Sequence, residues 1–446
     1  MGAPTEASHF RGVLHAASET MSRDELAALQ LQRLRQTLAN AQRHVPWQRA
    51  RIDAAGLHPD ALTGLHDLQR LPFMTKADLR EHYPFGLFAR PVSALARVHA
   101  SSGTTGKPTV VGYTAGDLQR WADLMARSLY GAGVRPGDLV HNAYGYGLFT
   151  GGLGAHDGAT RLGCPVVPVS GGGSERQVAL IMDFRPRVLC ATPSYALALA
   201  EVAEQQGVDL RKSGLAIGMF GAEPWSAAMR EQIEARLGLR ATDIYGLSEI
   251  MGPGVACECA CRNGLHGWED HFLFEVVDPD SGEVLPEGAV GELVITTLTK
   301  EALPMLRYRT RDITRLALQR CDCGRTHARI LRVTGRNDDM LIIRGVNVYP
   351  SQIEAVLVGR PGIAPHYQLV LRREGALDTV SIDVEALPEV PLADYARLAA
   401  EVAHHVKSLV GISAGVAIVV PGSVPRSQGK AVRVRDLRDA RAQAAQ

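Results

Sequence analysis

The spacing of apolar positions changes along this chain, and each change marks a different kind of structure. Between 22 and about 43, Leu26, Leu29, Leu31, Leu34 and Leu38 recur near helical spacing, with Ser22 as a candidate N-cap. The stretch before it, to about residue 20, has no such pattern and reads as unstructured. Residues 71–80 open a further short helix. Thr114 is placed to cap a helix that carries Leu118, Trp121, Leu124, Met125 and Leu129 on one face. Beyond the turn Arg135-Pro136-Gly137-Asp138, continuous apolar runs at 139–144, 165–169, 188–191, 215–221 and 241–245 alternate with helix-like segments. Strands apolar on both faces and separated by helices predict a parallel, buried sheet. From His271 the period shortens to that of hairpins, 272–277 and 291–297, around the turn Pro279-Asp280-Ser281-Gly282. A smaller unit follows, with strands at 367–371, 380–384 and 416–420 and a helix across 395–409. The expected fold is α/β: a large domain, 1–335, of parallel sheet, helices and a β subdomain, then a small α+β domain, 336–446.

Composition narrows the function classes. A chain of 446 residues exceeds one average core, so more than one domain is expected. Lys+Arg 48 against Asp+Glu 47 gives no basic or acidic face for nucleic acid or a membrane surface. No apolar run approaches a membrane span, and the polar N-terminus lacks a signal-peptide core, so a cytoplasmic location is expected. Seven cysteines is an odd count, and five fall in two tight groups: Cys257, Cys259 and Cys261 before His266, then Cys321 and Cys323. That spacing points to metal or reduced thiols, not a disulfide framework. Thiolates with an imidazole favour tetrahedral zinc, and free buried thiols are the plain alternative. Cys164 and Cys190 sit in apolar strands and read as core.

The candidate chemistry begins at Ser101-Ser102-Gly103-Thr104-Thr105-Gly106-Lys107-Pro108. Glycines let backbone N–H groups approach a guest, while hydroxyls and an ammonium add donors, so a polyphosphate suits the loop. The Walker A spacing is absent, and a Ser/Gly-rich surface loop is the alternative. Tyr245-Gly246-Leu247-Ser248-Glu249 follows a strand, where an open α/β sheet places ligands. Gly221-Ala222-Glu223-Pro224-Trp225, Arg307 to Asp312, Gly335 to Met340, Arg344 to Pro350 and Pro425 to Lys430 complete a series of strings, each unremarkable alone. In this order they resemble the adenylate-forming superfamily, and most closely its phenylacetate–CoA ligase branch. Asn142 to Gly152 and Glu269-Asp270-His271-Phe272 are particularly characteristic, and the resemblance spans nearly the whole chain.

The resemblance implies ATP-dependent activation of an aromatic carboxylate, phenylacetate- or benzoate-type, to an acyl-adenylate, followed by transfer to coenzyme A. Transfer to an amine or carrier protein, and a non-catalytic nucleotide-binding homologue, are the alternatives. By the same match Ser102, Gly103, Thr104, Thr105, Gly106 and Lys107 would cradle the phosphates, with Arg336 near them. Gly221, Ala222, Glu223, Tyr245, Gly246 and Ser248 would frame the nucleotide, and Glu249 would hold Mg²⁺. Asp312 would accept from the ribose hydroxyls, Asp338 would be the pivot of a mobile small domain, and Gly345 would leave room for the pantetheine arm. Lys430 would neutralise charge as the carboxylate attacks the α-phosphate. Tyr144, Phe149, Ala155, Gly221, Ile244 and Pro253 would line the aryl pocket. A structural zinc would be held by Cys259, His266, Cys321 and Cys323, leaving Cys257 and Cys261 as spares. Partners are then the acid, ATP and coenzyme A, and a homodimer stays open. At Asp157 the branch usually has an aromatic residue. This carboxylate either sits on a solvated helix face or reaches the pocket and favours amino- or hydroxy-substituted rings.

Overall fold

The computed structural model describes residues 12–101, 108–333, 335–336, 341–343, 346–374, 377–426 and 432–438. The helix Arg23–His44 starts where Ser22 caps it, in a reciprocal capping box with Glu25, and buries Leu26, Leu34 and Leu38. The residues before it are more ordered than the pattern implied. Ala16–Glu19 form one helical turn, and Glu19 is fully buried against Arg325, with Nε–Oε2 at 2.6 Å. A polar segment with no apolar period thus docks through charge, a signal that periodicity does not carry.

The hairpin β1 (Arg97–Ser101) and β2 (Thr109–Tyr113) leads into the helix Ala115–Ala132, capped by Thr114 as its spacing predicts. Strands β3 (Val140–Asn142), β4 (Val166–Val167), β5 (Val188–Ala191), β6 (Ile217–Gly221) and β7 (Arg240–Leu247) lie in the spatial order β4-β3-β5-β6-β7, all parallel. Helices cover them, Trp121, Leu124, Met125 and Leu129 facing the sheet core. The expectation of a parallel sheet holds for this half only. From β7 the sheet continues antiparallel through β8 (Gly252–Glu258) and β9 (Leu265–Gly267). The turn at 248–251 is too short for a crossover helix, so β8 can only return alongside β7.

The hairpins β10 (Phe272–Val277), β11 (Gly291–Thr297) and β12 (Tyr308–Thr314) form a separate sheet, in agreement with the alternation read from His271. Short strands β13 (Leu316–Ala317) and β14 (Arg329–Ile330) extend the large sheet next to β9, and β15 (Gly335–Arg336) pairs with β12. After the hairpin β16 (Leu341–Ile343) and β17 (Val346–Val348), the small domain builds a four-stranded sheet from β18 (Ile363–Glu374), β19 (Leu377–Ala386), β20 (Gly415–Val419) and β21 (Val434–Asp436). The helix Tyr395–Val410 packs Leu398, Val402 and Val406 into that core. The domains meet where Val358 joins the core beneath the helices Pro193–Gln205 and Ala227–Leu237, and where Glu354 accepts from the Ser226 N–H at 3.1 Å. No helix among the described residues is long and apolar enough to cross a membrane.

Candidate active site

A cleft of about 390 Å³ opens at the carboxyl ends of β6 and β7, where the parallel half of the sheet gives way to the antiparallel half. This is the position at which open α/β sheets bind ligands. Ser101, Ala222, Glu223, Ile244, Tyr245, Gly246, Glu249 and Asp312 all line it, so strings far apart in sequence are brought to one place.

Local backbone explains the spacing of the motif residues. A Cβ on Gly246 would lie 1.9 Å from the Gly252 carbonyl oxygen, and one on Gly221 would lie 2.2 Å from that of Ile244. Only glycine admits these approaches between neighbouring strands. Ala222 and Arg311, both on the cleft wall, have left-handed backbone at φ 73 and φ 68, strain of the kind that collects at ligand sites. Tyr245 donates its hydroxyl to Asp312 Oδ2 at 2.5 Å, joining β7 to β12 across the cleft. Asp312 faces Arg336 in the β12–β15 register, and its own N–H donates to Thr310 Oγ1 at 3.1 Å.

Glu249 sits in the turn after β7, 5% exposed. Its Oε1 is 3.4 Å from the Tyr308 hydroxyl and 3.9 Å from Lys76 Nζ. Lys76 is delivered by the N-terminal segment: Met74 pairs with β12, donating to Arg307 O at 3.0 Å and accepting from Arg309 N at 2.9 Å. The backbone of Glu249 is fixed by Lys300, whose ammonium donates to its carbonyl at 2.9 Å. Burial pushes that ammonium down to about 8, against the pull of Asp117 and Glu249. Ser248 shares a hydroxyl contact with Thr150 at 3.0 Å. Glu223 accepts from the Ser194 N–H at 2.7 Å.

Among the aryl-pocket candidates, Ile244 lines this cleft. Gly221 ends β6, Pro253 lies on β8, and Ala155 is buried in the helix Thr150–Leu162. Tyr144 is buried and donates its hydroxyl to Met219 O at 3.2 Å, which leaves the ring and not the hydroxyl to meet a guest. Phe149 is half exposed at the N-cap of Thr150–Leu162. Asp157 takes a hydrogen bond from Arg97 Nη1 at 2.7 Å, so its demand for a donor is met within the chain and the reason to expect substituted rings falls away. Ser102 to Lys107, Asp338, Gly345 and Lys430 lie outside the described residues, and of Arg336 only the backbone is described.

Two cleft residues were missed at the level of sequence. Lys76 belongs to a string read as a helix start. Asp243 is the one carboxylate in β7, set just before the apolar Ile244, and that was the available signal. Burial pushes its carboxyl up to about 7, with the nearby Glu258 adding to the effect and Trp225 and Arg230 opposing it.

A second cluster lies in the antiparallel half. Cys259 Sγ and Cys321 Sγ are 3.8 Å apart, Cys323 Sγ is 3.4 Å from His266 Nε2, and all four donors fall within 4.8 Å of one another. An ion at about 2.3 Å from sulfur and about 2.1 Å from nitrogen requires tetrahedral edges of roughly 3.6–3.8 Å, so the donor set fits zinc. The Cys321 thiol is driven well below its ordinary range, chiefly by the hydrogen bond from Cys259, whose own proton is held more tightly. The Cys261 N–H points at Cys259 Sγ at 3.4 Å and Arg325 Nη1 at Cys323 Sγ at 3.5 Å, donors that suit thiolates. Cys257 is buried elsewhere, hydrogen-bonded towards Ser128, and Cys261 is exposed.

Residues 74–299 match the family model "AMP-binding enzyme" and 345–438 match "AMP-binding enzyme C-terminal domain". The phenylacetate–coenzyme A ligase of Thermus thermophilus is 56% identical over 437 residues, 94% of this chain and 98% of that protein. The Escherichia coli enzyme of the same name is 55% identical, covering 94% and 97%. The chain belongs to the phenylacetate–CoA ligase family. Its relation to solved adenylate-forming ligases extends to domain placement. A 2-hydroxyisobutyryl-CoA ligase in the postadenylation state, in complex with 2-HIB-AMP, is 33% identical and superposes with TM-score 0.91 over 100% of this chain and 96% of that one. The same ligase in the thioesterification state, with 2-HIB-AMP and CoA, is 34% identical over the same shares of the two chains and gives 0.72. The small domain of this family member is therefore docked as in the postadenylation arrangement.

Proposed function

We propose that the protein is an AMP-forming aryl-CoA ligase acting on a phenylacetate- or benzoate-type acid. The observation that carries the reading is the cleft in which Tyr245, Asp312 and Glu249 converge at the switch in strand direction, within a chain of this family. In the first half-reaction a carboxylate oxygen attacks the α-phosphorus of ATP, the bond to the β-phosphate oxygen breaks, and pyrophosphate leaves. In the second the thiol of coenzyme A attacks the acyl carbon, loses its proton, and AMP departs with its phosphate oxygen. Activation through the adenylate converts a poor leaving group into a good one.

Asp312, held by the Tyr245 hydroxyl at the cleft wall, is the carboxylate that would accept from the ribose hydroxyls. Glu249 offers Mg²⁺ a buried carboxylate whose nearest side-chain partners are long contacts, and the ion would neutralise charge on the phosphates. The loop 102–107 and Arg336 would bind phosphates, and Lys430 would stabilise the charge that builds at the α-phosphate. The carboxyl ends of β6 and β7 with Tyr144, Phe149, Ala155, Gly221, Ile244 and Pro253 would receive the ring. Domain 336–446 would turn about Asp338, with Gly345 beside the incoming pantetheine arm. A zinc ion on Cys259, His266, Cys321 and Cys323 would be structural, since four protein ligands leave no open position.

The test is ATP–pyrophosphate exchange across a panel of aromatic acids, with coenzyme A consumption measured in parallel. Phenylacetate or a benzoate should support both. Lys430→Ala should reduce exchange by roughly 10²–10³-fold, the loss typical of a removed charge stabiliser, and spare thioester formation from supplied acyl-adenylate. Equal loss of both half-reactions overturns the role of the lysine, and no exchange with any aromatic acid overturns the activity.

A further inference from the structure

The contact between the two domains contains a charged cluster that the adenylation chemistry does not use. Glu201 lies on the helix Pro193–Gln205 of the large domain, with its side chain 21% exposed. Two groups of the small domain close on it. His366 of β18 hydrogen-bonds through Nε2 to Oε1, and Arg426 Nε stands 3.5 Å from Oε2. Arg426 is in turn gripped by Glu385 of β19, Nη1 to Oε1 at 2.7 Å and Nη2 to Oε2 at 2.9 Å, and Glu385 also accepts from the Val424 N–H at 2.7 Å. Glu385 is 1% exposed, so this fork is fixed within the small domain whatever the domain arrangement. Glu201 is the partner that it meets only on docking.

We infer that Glu201 is a positioning residue for the first half-reaction, a clasp that holds the small domain in the adenylation arrangement through His366 and Arg426. The inference rests on the reading of the protein as a two-step ligase. Three observations carry it. The domain placement follows a solved relative in its postadenylation state far better than the same relative in its thioesterification state, so the clasp is closed before the turn to thioester formation. Arg426 stands just ahead of Lys430 in the chain, so what fixes Arg426 fixes the base of the segment that carries the lysine. The helix bearing Glu201 is itself tied to the cleft at its other end, where the Ser194 N–H holds the Glu223 carboxylate. Burial pushes the Glu201 carboxyl up, yet the hydrogen bond from His366 and the charges of His366, Arg426 and Arg236 hold it below its ordinary range. The group is thus an anion that meets the Arg426 guanidinium and the His366 ring across the seam. A clasp of this kind shifts the balance between two arrangements and leaves the chemistry of each untouched.

The experiment separates the half-reactions in the full-length enzyme. Glu201→Ala should slow ATP–pyrophosphate exchange about five- to tenfold, as expected for loss of one part-exposed charge contact between two bodies. Thioester formation from supplied acyl-adenylate and coenzyme A should stay unchanged or rise. Glu201→Gln, which keeps the size and one acceptor, should fall between wild type and Glu201→Ala. The melting temperature should move by no more than about 2 °C, because the clasp joins domains and does not build either core. Parallel loss of both half-reactions, or no change in either, overturns the clasp. Lys430→Ala, run alongside, reports on the lysine alone: exchange retained there overturns the assignment of the lysine, whereas the split in Glu201→Ala decides the clasp either way.

Discussion

Asp243 allows the sharpest quantitative test of the cleft. It stands on β7 with its carboxyl raised from 3.8 to about 7, first by burial and then by the charge of Glu258. Between about pH 4 and pH 7 the folded protein therefore binds more protons at this site than the unfolded chain, and stability falls as pH rises through that window. At 1.36 kcal/mol per unit the full rise amounts to about 4 kcal/mol. Because the carboxyl opens in part to the cleft, solvent screening should reduce the measured value to about 2 kcal/mol. Asp243→Asn removes the titration and keeps the shape. The variant should match wild type in stability near pH 4, gain steadily on it up to about pH 7, and hold a constant advantage above that. Urea midpoints read by tryptophan fluorescence at half-unit intervals of pH would measure it. Glu258→Gln should shrink the advantage, since Glu258 is the second cause of the shift. A difference that is flat across pH 5–8, or that narrows as pH rises, would refute the account of Asp243 as a buried, strained anion.

Two further outcomes are expected. Elemental analysis should find about one zinc per chain, and Cys321→Ser should lower the melting temperature more than it weakens ATP binding, because a closed metal site contributes to folding; metal-free protein of normal stability would remove the assignment. Asp157→Asn should change stability by less than about 1 kcal/mol, the usual scale of a part-exposed pair such as Arg97–Asp157, and should leave the kcat/KM ranking of bare against amino- or hydroxy-substituted acids unaltered; a reordered ranking would place Asp157 in the pocket after all.

Much of the fold was legible because its core elements obey simple periods. Leu26, Leu34 and Leu38 mark one buried helix face, Thr114 caps the next, and the apolar run at 188–191 is β5 residue for residue. What escaped was written in charge. Glu19 is buried because Arg325 and Arg127 surround it, and those partners lie far along the chain, where no local pattern announces them. Glu269 and Asp270, part of a string that marked the family, work at a distance from the cleft: Glu269 holds Arg23 and the Ala328 N–H, and Asp270 holds Arg127 at 2.9 Å. They fasten the N-terminal helix, the helix Ala115–Ala132 and the loop of Cys321 and Cys323 to the large sheet. The reversal of strand direction after β7 was hidden because an apolar strand reads alike in parallel and antiparallel surroundings; only the shortness of the 248–251 turn distinguishes them.

That reversal explains why the cleft and the thiol cluster occur in one sheet without sharing residues. β7 ends the parallel half and presents Asp243, Tyr245 and Gly246 to the cleft. β8 returns from that edge and delivers Cys259 just beyond its far end, where β9 sets His266 opposite Cys257 in register. The two sites thus adjoin without overlapping: Ile244 of the cleft pairs with Cys257, and Leu265 of the cleft wall directly precedes His266. Loss of a zinc ion bound there would loosen β8 from its Cys259 end, and the first cleft contacts to feel it would be Ile244, paired with Cys257, and Asp243, whose N–H donates to Glu258 at 3.0 Å. A metal-depleted protein should therefore still bind ATP at low temperature but release it on warming before the parallel half unfolds, and ATP retained up to global unfolding would refute this coupling.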